Sequence, residues 1–229
     1  MKPLIVYWAP TSLPDTTTRT NLILEPPTPL RKEFTSTENG KPTNYNACRS
    51  LHNFYKNAFV LKHPLSAKWN YETRHENGYI YSHDTNSEDY LRIDIDFGWV
   101  FFSEESVEIE QLPAFFHKQK STDYGYLAAG SFDISKWFRH INPTYILWNG
   151  IKEFEVVEDE AMFYIRFLTD RPVILKQFEF TPKINEIALG AANLKRVKPN
   201  LTLKENYRRF LRSNRHKVLL KYIKANLIE

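Results

Sequence analysis

The stretch Tyr90-Leu-Arg-Ile-Asp-Ile-Asp-Phe-Gly-Trp-Val-Phe-Phe102 decides the fold class. Leu91, Ile93, Ile95 and Phe97 alternate with Arg92, Asp94 and Asp96, the period-two pattern of a strand with one buried face and one wet or ion-paired face. The same chemistry recurs at Ala58–Leu61, Tyr79–Tyr81, Thr144–Trp148, Met162–Leu168 and Val173–Phe180, segments rich in Ile, Val, Tyr and Phe with Asn, Gly, Pro and Asp between them. The expectation is a single α+β domain: a mainly antiparallel β sandwich or curled sheet with a C-terminal amphipathic helix packed on one side. Trp99, Phe101, Trp137, Phe138, Trp148, Phe163 and Phe167 are the expected core aromatics.

Outside these strands the chain is less regular. Pro3–Trp8 is a short apolar run that reads as a strand, ended by Pro10 and Pro14. From Asp15 to Asn46 the composition shifts to Thr, Pro, Asn and charge, and Glu25-Pro-Pro-Thr-Pro29 fits neither a helix nor a central strand. Residues 1–46 therefore read as a Pro/Thr-rich strand and arm, and residues 47–229 as the β-rich domain. Gly130–His140 reads as a short helix or turn, with Ser131 or Asp133 as its cap and its end before Asn142-Pro143. Thr202-Leu-Lys-Glu205 is a capping box that opens a basic helix over 202–227, which Ser213-Asn214 bends or splits. Leu203, Tyr207, Phe210, Leu211, Val218, Tyr222 and Ile223 supply its apolar stripe.

Charge points to a partner. From Lys195 to Glu229 there are eleven Lys or Arg against two Glu, about +9, so the chain total of +4 leaves about −5 for residues 1–194. Lys195, Arg196 and Lys198 precede the helix, and Arg208, Arg209, Arg212, Arg215, Lys217 and Lys221 are its candidate binding residues, with Lys224 beyond them. Such a face suits an acidic macromolecule, either nucleic acid or protein. It suits equally a clamp onto the chain's own acidic runs, Glu104–Glu110 and Glu153–Glu160. No helix-turn-helix, zinc-finger or RNA-recognition signature accompanies the charge.

Other function classes are disfavoured. Only seven Gly argue against a phosphate-cradling loop, and the single Cys48 forms no intramolecular disulfide. No run approaches the roughly 18 apolar residues of a membrane span, and no secretory leader is evident, so a cytoplasmic protein without a membrane partner is expected. His75, His83, Asp94 and Asp96 are the residue types of a metal site, and the alternative reading is a small oxygenase-like β-sandwich enzyme using Fe or Zn. His83 and Asp84 are adjacent and face opposite sides of a strand, and Arg92 is the simpler partner for Asp94. Cys48 with His52 four residues on is a weak nucleophile pair, and no Gly-x-Ser-x-Gly elbow occurs. The leading expectation is a non-catalytic interaction protein without a cofactor.

Gly130-Ser-Phe-Asp-Ile-Ser-Lys-Trp-Phe-Arg139 and Asn142-Pro-Thr-Tyr-Ile-Leu-Trp148 resemble uncharacterised proteins of T4-like phages of marine cyanobacteria. The segment Cys48 to Pro64 and Trp69 is similar to that of a bacterial and phage family of unknown function, which also has a β-rich middle and a charged C-terminal stretch. The resemblance implies a viral origin, with the protein in the infected host cell or the virion, and implies no activity.

Overall fold

The computed structural model describes residues 1–11, 24–34, 49–70, 80–81, 91–95, 98–198 and 200–228. In chain order the elements begin with β1 (Leu4–Pro10), β2 (Thr28–Pro29), α1 (Leu30–Phe34), α2 (Arg49–Tyr55), β3 (Ala58–Lys62), β4 (Ala67–Asn70) and β5 (Ile80–Tyr81). Next come β6 (Leu91–Ile95), β7 (Trp99–Phe102), β8 (Glu108–Pro113), β9 (Gly125–Leu127), β10 (Gly130–Asp133), β11 (His140–Ile141) and β12 (Thr144–Leu147). Then follow β13 (Glu153–Val156), β14 (Ala161–Phe167), β15 (Val173–Gln177), α3 (Pro182–Val197), α4 (Leu203–Arg212) and α5 (Arg215–Ala225).

The strands form α+β layers of mostly antiparallel sheets. The first sheet runs β11-β7-β1-β15 and the second β10-β8-β14-β3-β2; a third, β5-β6-β12-β9, and a ribbon, β13-β4, close one end of the core. Alternation along each strand assigns its two faces. Leu4, Val6 and Trp8 of β1 and Trp99 and Phe101 of β7 meet Phe59, Leu61, Ile109, Phe163 and Phe167 of the second sheet. Rings lock that interface edge to face, with Trp99 and Phe163 centred 5.7 Å apart and Phe101 and Phe167 5.9 Å apart. The opposite residues of the first sheet, Tyr7, Ala9, Val100 and Phe102, pack under α3, α4 and α5. Those of the second sheet, Val60 and Tyr164, pack with Leu30 of α1 and Tyr55 of α2. Both central strands are thus buried on two faces, which is why β1 and β7 read as continuous apolar runs.

Several expectations need correction. No sheet curls or closes on itself among the described residues, and β1 pairs with β15 in parallel. The run Tyr90–Phe102 is broken at Gly98, where β6 joins the third sheet and β7 the first. A Cβ on Gly98 would lie 2.2 Å from the Ile141 carbonyl oxygen, so only glycine permits this crossing of backbones. Trp148 is no core residue: it is 49% exposed and tilts against Tyr126, also exposed, at 5.3 Å. Gly130–His140 contains strand β10 and a turn rather than a helix, although Asp133 does act as a local cap by accepting from the Ser135 N–H at 2.9 Å.

Within residues 15–46, Leu24 and Leu30 are buried and Thr28–Pro29 is an edge strand, a sheet position that tolerates proline. The expected helix over 202–227 is two helices joined through Asn214, whose φ of 54° is left-handed. Helix α3 precedes them and was not foreseen, since it buries little beyond Ile184 and Ala188 among its described side chains.

Candidate functional site

Helices α4 and α5 are held rigidly. The Thr202 hydroxyl accepts from the Glu205 N–H at 3.3 Å while the Glu205 carboxylate accepts from the Thr202 N–H at 3.0 Å, the expected capping box. Phe210, Leu219 and Ile223 are buried on the first sheet. The Tyr207 hydroxyl accepts from the Asp133 N–H at 2.7 Å, tying α4 to β10. Past α5, Leu227 bridges Phe178 next to β15, and the Ile228 N–H donates to the Gln177 carbonyl at 3.0 Å. Leu203, Leu211 and Val218 of the expected stripe are exposed instead. The left-handed turn at Asn214 resets the helical phase, so Leu219 and not Val218 faces inward.

With Phe210, Leu219 and Ile223 docked, the cations point outward. Arg208, Arg209, Arg212, Arg215, Lys217 and Lys221 are all exposed. Among the described residues, none of these side chains makes an ion pair or hydrogen bond. Lys224 alone clamps onto the acidic body, at 2.8 Å from Glu104, which also accepts from the Tyr7 hydroxyl at 3.0 Å. The Lys224 ammonium holds the Glu104 carboxyl below its ordinary range. Burial, helped by Glu104, pushes the Tyr7 phenol up to about 12. Three other acids of the runs are paired elsewhere: Glu105 with Arg171, Glu110 with Arg166 and Glu153 with Lys68. The N-terminus of α5 has neither a side-chain cap nor an acidic residue in its first turn, unlike that of α4. Its orphan N–H groups sit at Arg215, beside Arg212.

The anchor beneath α4 is a polar knot. Asp133, 4% exposed, accepts from the Ser106 hydroxyl at 2.5 Å, the Ser135 hydroxyl at 2.6 Å and the Lys136 ammonium at 2.6 Å. Burial opposes its charge most strongly, yet these donors together hold its pKa below the ordinary value.

The metal alternative gains no support. His75, His83 and Asp96 lie outside the described residues, as does Cys48. Asp94 is committed: Arg92 grips Oδ2 at 2.6 Å and the Thr144 hydroxyl donates to Oδ1 at 2.5 Å. No group of three or more His, Cys, Asp or Glu among the described residues is arranged to hold a metal ion.

The structure also shows a cleft of about 810 Å³ between β10, β8, β6 and the segment Trp137–Thr144, which sequence reasoning missed. Arg139 lines it, with its guanidinium 4.9 Å from the Trp137 ring centre and 5.9 Å from that of Phe132. Its Nε donates to the His140 carbonyl at 3.0 Å, while its terminal nitrogens find no acceptor among the described residues. Burial pulls the Arg139 pKa down, an effect that Asp94 partly offsets. The Asn142 side-chain oxygen is buried without a partner, and the Asn142 carbonyl is 3.5 Å from the Gln111 amide nitrogen. Arg139 carried one available signal, an arginine two residues after a tryptophan. Gln111 and Asn142 come from separate strands and connections and carried none.

Compared with known proteins, the chain matches no family model, no curated sequence and no solved structure. Among the described residues no helix is long and apolar enough to cross a membrane.

Proposed function

We propose that this is an interaction protein of viral origin whose paired helices α4 and α5 bind an acidic macromolecule, with the phosphate backbone of nucleic acid as the favoured partner. One observation carries the reading: six exposed cations, from Arg208 to Lys221, make no ion pair or hydrogen bond among the described residues, on helices anchored to the chain's own core by Phe210, Leu219 and Ile223. A self-clamp would set the carboxylates of the acidic runs against those cations, and among the described residues those runs meet Lys224 instead. The uncapped N-terminus of α5 between Arg212 and Arg215 supplies oriented N–H groups, which favour phosphate over a dispersed acidic surface. The viral origin rests on the likeness at residues 130–148, and with it the infected cell or virion as the setting.

The test is fluorescence anisotropy with labelled single-stranded DNA, duplex DNA and RNA over a salt series, using the full chain and the triple variant Arg208→Ser, Arg212→Ser, Arg215→Ser. Loss of three phosphate contacts should flatten the log–log salt slope by about 2 to 3. All three arginines are exposed, so the variant should fold. Absence of binding at low salt, or equal binding by the variant, removes nucleic acid as the partner. An acidic protein then becomes the reading, favoured by the Lys224–Glu104 pair as a precedent for carboxylate recognition on α5.

A further inference from the structure

The cleft beside β10 has the attributes of a ligand site independent of the helices. Its volume, about 810 Å³, lies within the range of small-molecule pockets, roughly 300–1,000 Å³. Ile109, Trp137 and Ile141 give it an apolar floor, and Arg139 and Gln111 supply polar groups.

Its charge selects the ligand. Among the described residues Asp94 is the single carboxylate of the lining, and both its oxygens are occupied, by Arg92 and by Thr144. Arg139 is therefore a desolvated cation stacked on aromatic rings, and its fork of terminal N–H donors is unspent. Burial and the neighbouring Arg139 push the His140 imidazole down to about 4, so it is neutral at pH 7. Taking Arg92, Asp94, Arg139 and a neutral His140 together, the described lining carries a net charge of +1. That balances one carboxylate, whereas a phosphate monoester brings about −1.5 to −2. A guanidinium fork also matches a carboxylate bidentately.

We propose that this cleft binds a small molecule through one carboxylate, gripped by the Arg139 guanidinium, with hydroxyl or amide groups of the ligand meeting the Gln111 amide. Apolar parts of the ligand lie along Trp137 and Ile109.

Calorimetry and NMR of the full chain test this, with the Arg139 Nε–H and Trp137 indole N–H as reporters. The probes are 4-hydroxybenzoate and 3-hydroxybutyrate, each set against its carboxamide, with inorganic phosphate as a separate arm. The expected result is saturable shifts of both reporters and binding about tenfold or more tighter for each carboxylate than for its amide. Arg139→Gln should lose at least that factor. Should that variant not fold, Gln111→Glu gives a second route, since a like charge in the cleft should abolish carboxylate binding. Equal affinity for acid and amide, tighter binding of phosphate, unchanged binding in the foldable variants, or no saturable shift up to about 10 mM would each overturn the proposal. Nucleic-acid binding by Arg139→Gln should equal that of the parent chain, which keeps this test separate from that of the helices.

Discussion

Acidification from pH 7 to pH 5 should destabilise the fold through histidines buried as neutral rings, with His63 the main one. His63 is 2% exposed, its Nδ1 has no partner, and its Nε2 lies 3.3 Å from the Tyr145 hydroxyl. Burial pushes its pKa from 6.5 down to about 3. The unfolded chain therefore takes up a proton between pH 6.5 and 3 that the folded chain refuses, so stability is lost as pH falls through that window. At about 1.4 kcal/mol per pH unit, the loss from this group alone by pH 5 is about 2 kcal/mol, with an upper bound near 5 kcal/mol at pH 3. That is a large share of an ordinary stability of about 5–15 kcal/mol. The assay is urea unfolding followed by tryptophan fluorescence at pH 7.5, 6 and 5, comparing the parent chain with His63→Gln. His140 and His117, both lowered by burial, contribute in the same direction and remain in the variant. Carboxylates held low, such as Glu104 and Asp133, lose their stabilisation chiefly below about pH 5, outside the assay range. The variant should be less stable at pH 7.5 but should lose about 1.4 kcal/mol less per unit between pH 6 and 5. Equal slopes for the two proteins would refute the account of His63 as a buried neutral ring.

Other substitutions probe the supports of the helical face. Asp133→Ala strands the Lys136 ammonium and the Ser106 and Ser135 hydroxyls, and should cost about 3 kcal/mol in urea unfolding. Tyr207→Phe leaves the Asp133 N–H without its acceptor, and should cost about 1–2 kcal/mol while amide exchange in α4 rises before that of β1. Gly98→Ala forces a Cβ to within 2.2 Å of the Ile141 carbonyl oxygen and should destabilise by about 2–3 kcal/mol, with a lowered Tm. Glu104→Gln should change stability by less than about 1 kcal/mol, because its pair with Lys224 is exposed. Ultraviolet titration should nevertheless show the Tyr7 phenol falling back from about 12 toward its ordinary value.

How legible each part was depended on how local its cause is. The Thr202 capping box, the break at Asn214 and the alternation of Ile93 and Ile95 with Arg92 and Asp94 are short-range facts, and the sequence carried them plainly. The amphipathic pattern grouped the cations at 208–221 but left open whether they face outward or clamp the acidic body, which depends on where distant carboxylates fall. The split of Tyr90–Phe102 between two sheets was not readable, because the backbone that forces it, Ile141, is 43 residues away from Gly98. The parallel partnership of β1 with β15 spans nearly the whole domain and leaves no local mark. Trp148 misled because its aromatic character says core, while its position just past β12 puts it beside Tyr126 on an exposed surface. The cleft was invisible for the same reason as the sheet order: Gln111, Arg139 and Asn142 meet only after β8 and β10 have paired.

The ten residues Gly130–Arg139 serve both positive features and keep them physically distinct. Asp133 anchors α4 through Tyr207, whereas Arg139, six residues on, turns into the cleft. The helical cations are solvated, so their attraction for a polyanion decays with the Debye length, from about 10 Å at 0.1 M salt to about 3 Å at 1 M. Arg139 is half-buried and stacked on Trp137, where mobile ions screen it far less. Ionic strength therefore separates the two functions without mutation: polyanion binding should collapse as salt rises toward 1 M, while carboxylate binding in the cleft should weaken only slightly. Equal salt sensitivity of the two would mean that the carboxylate probes are reading the exposed helices rather than Arg139.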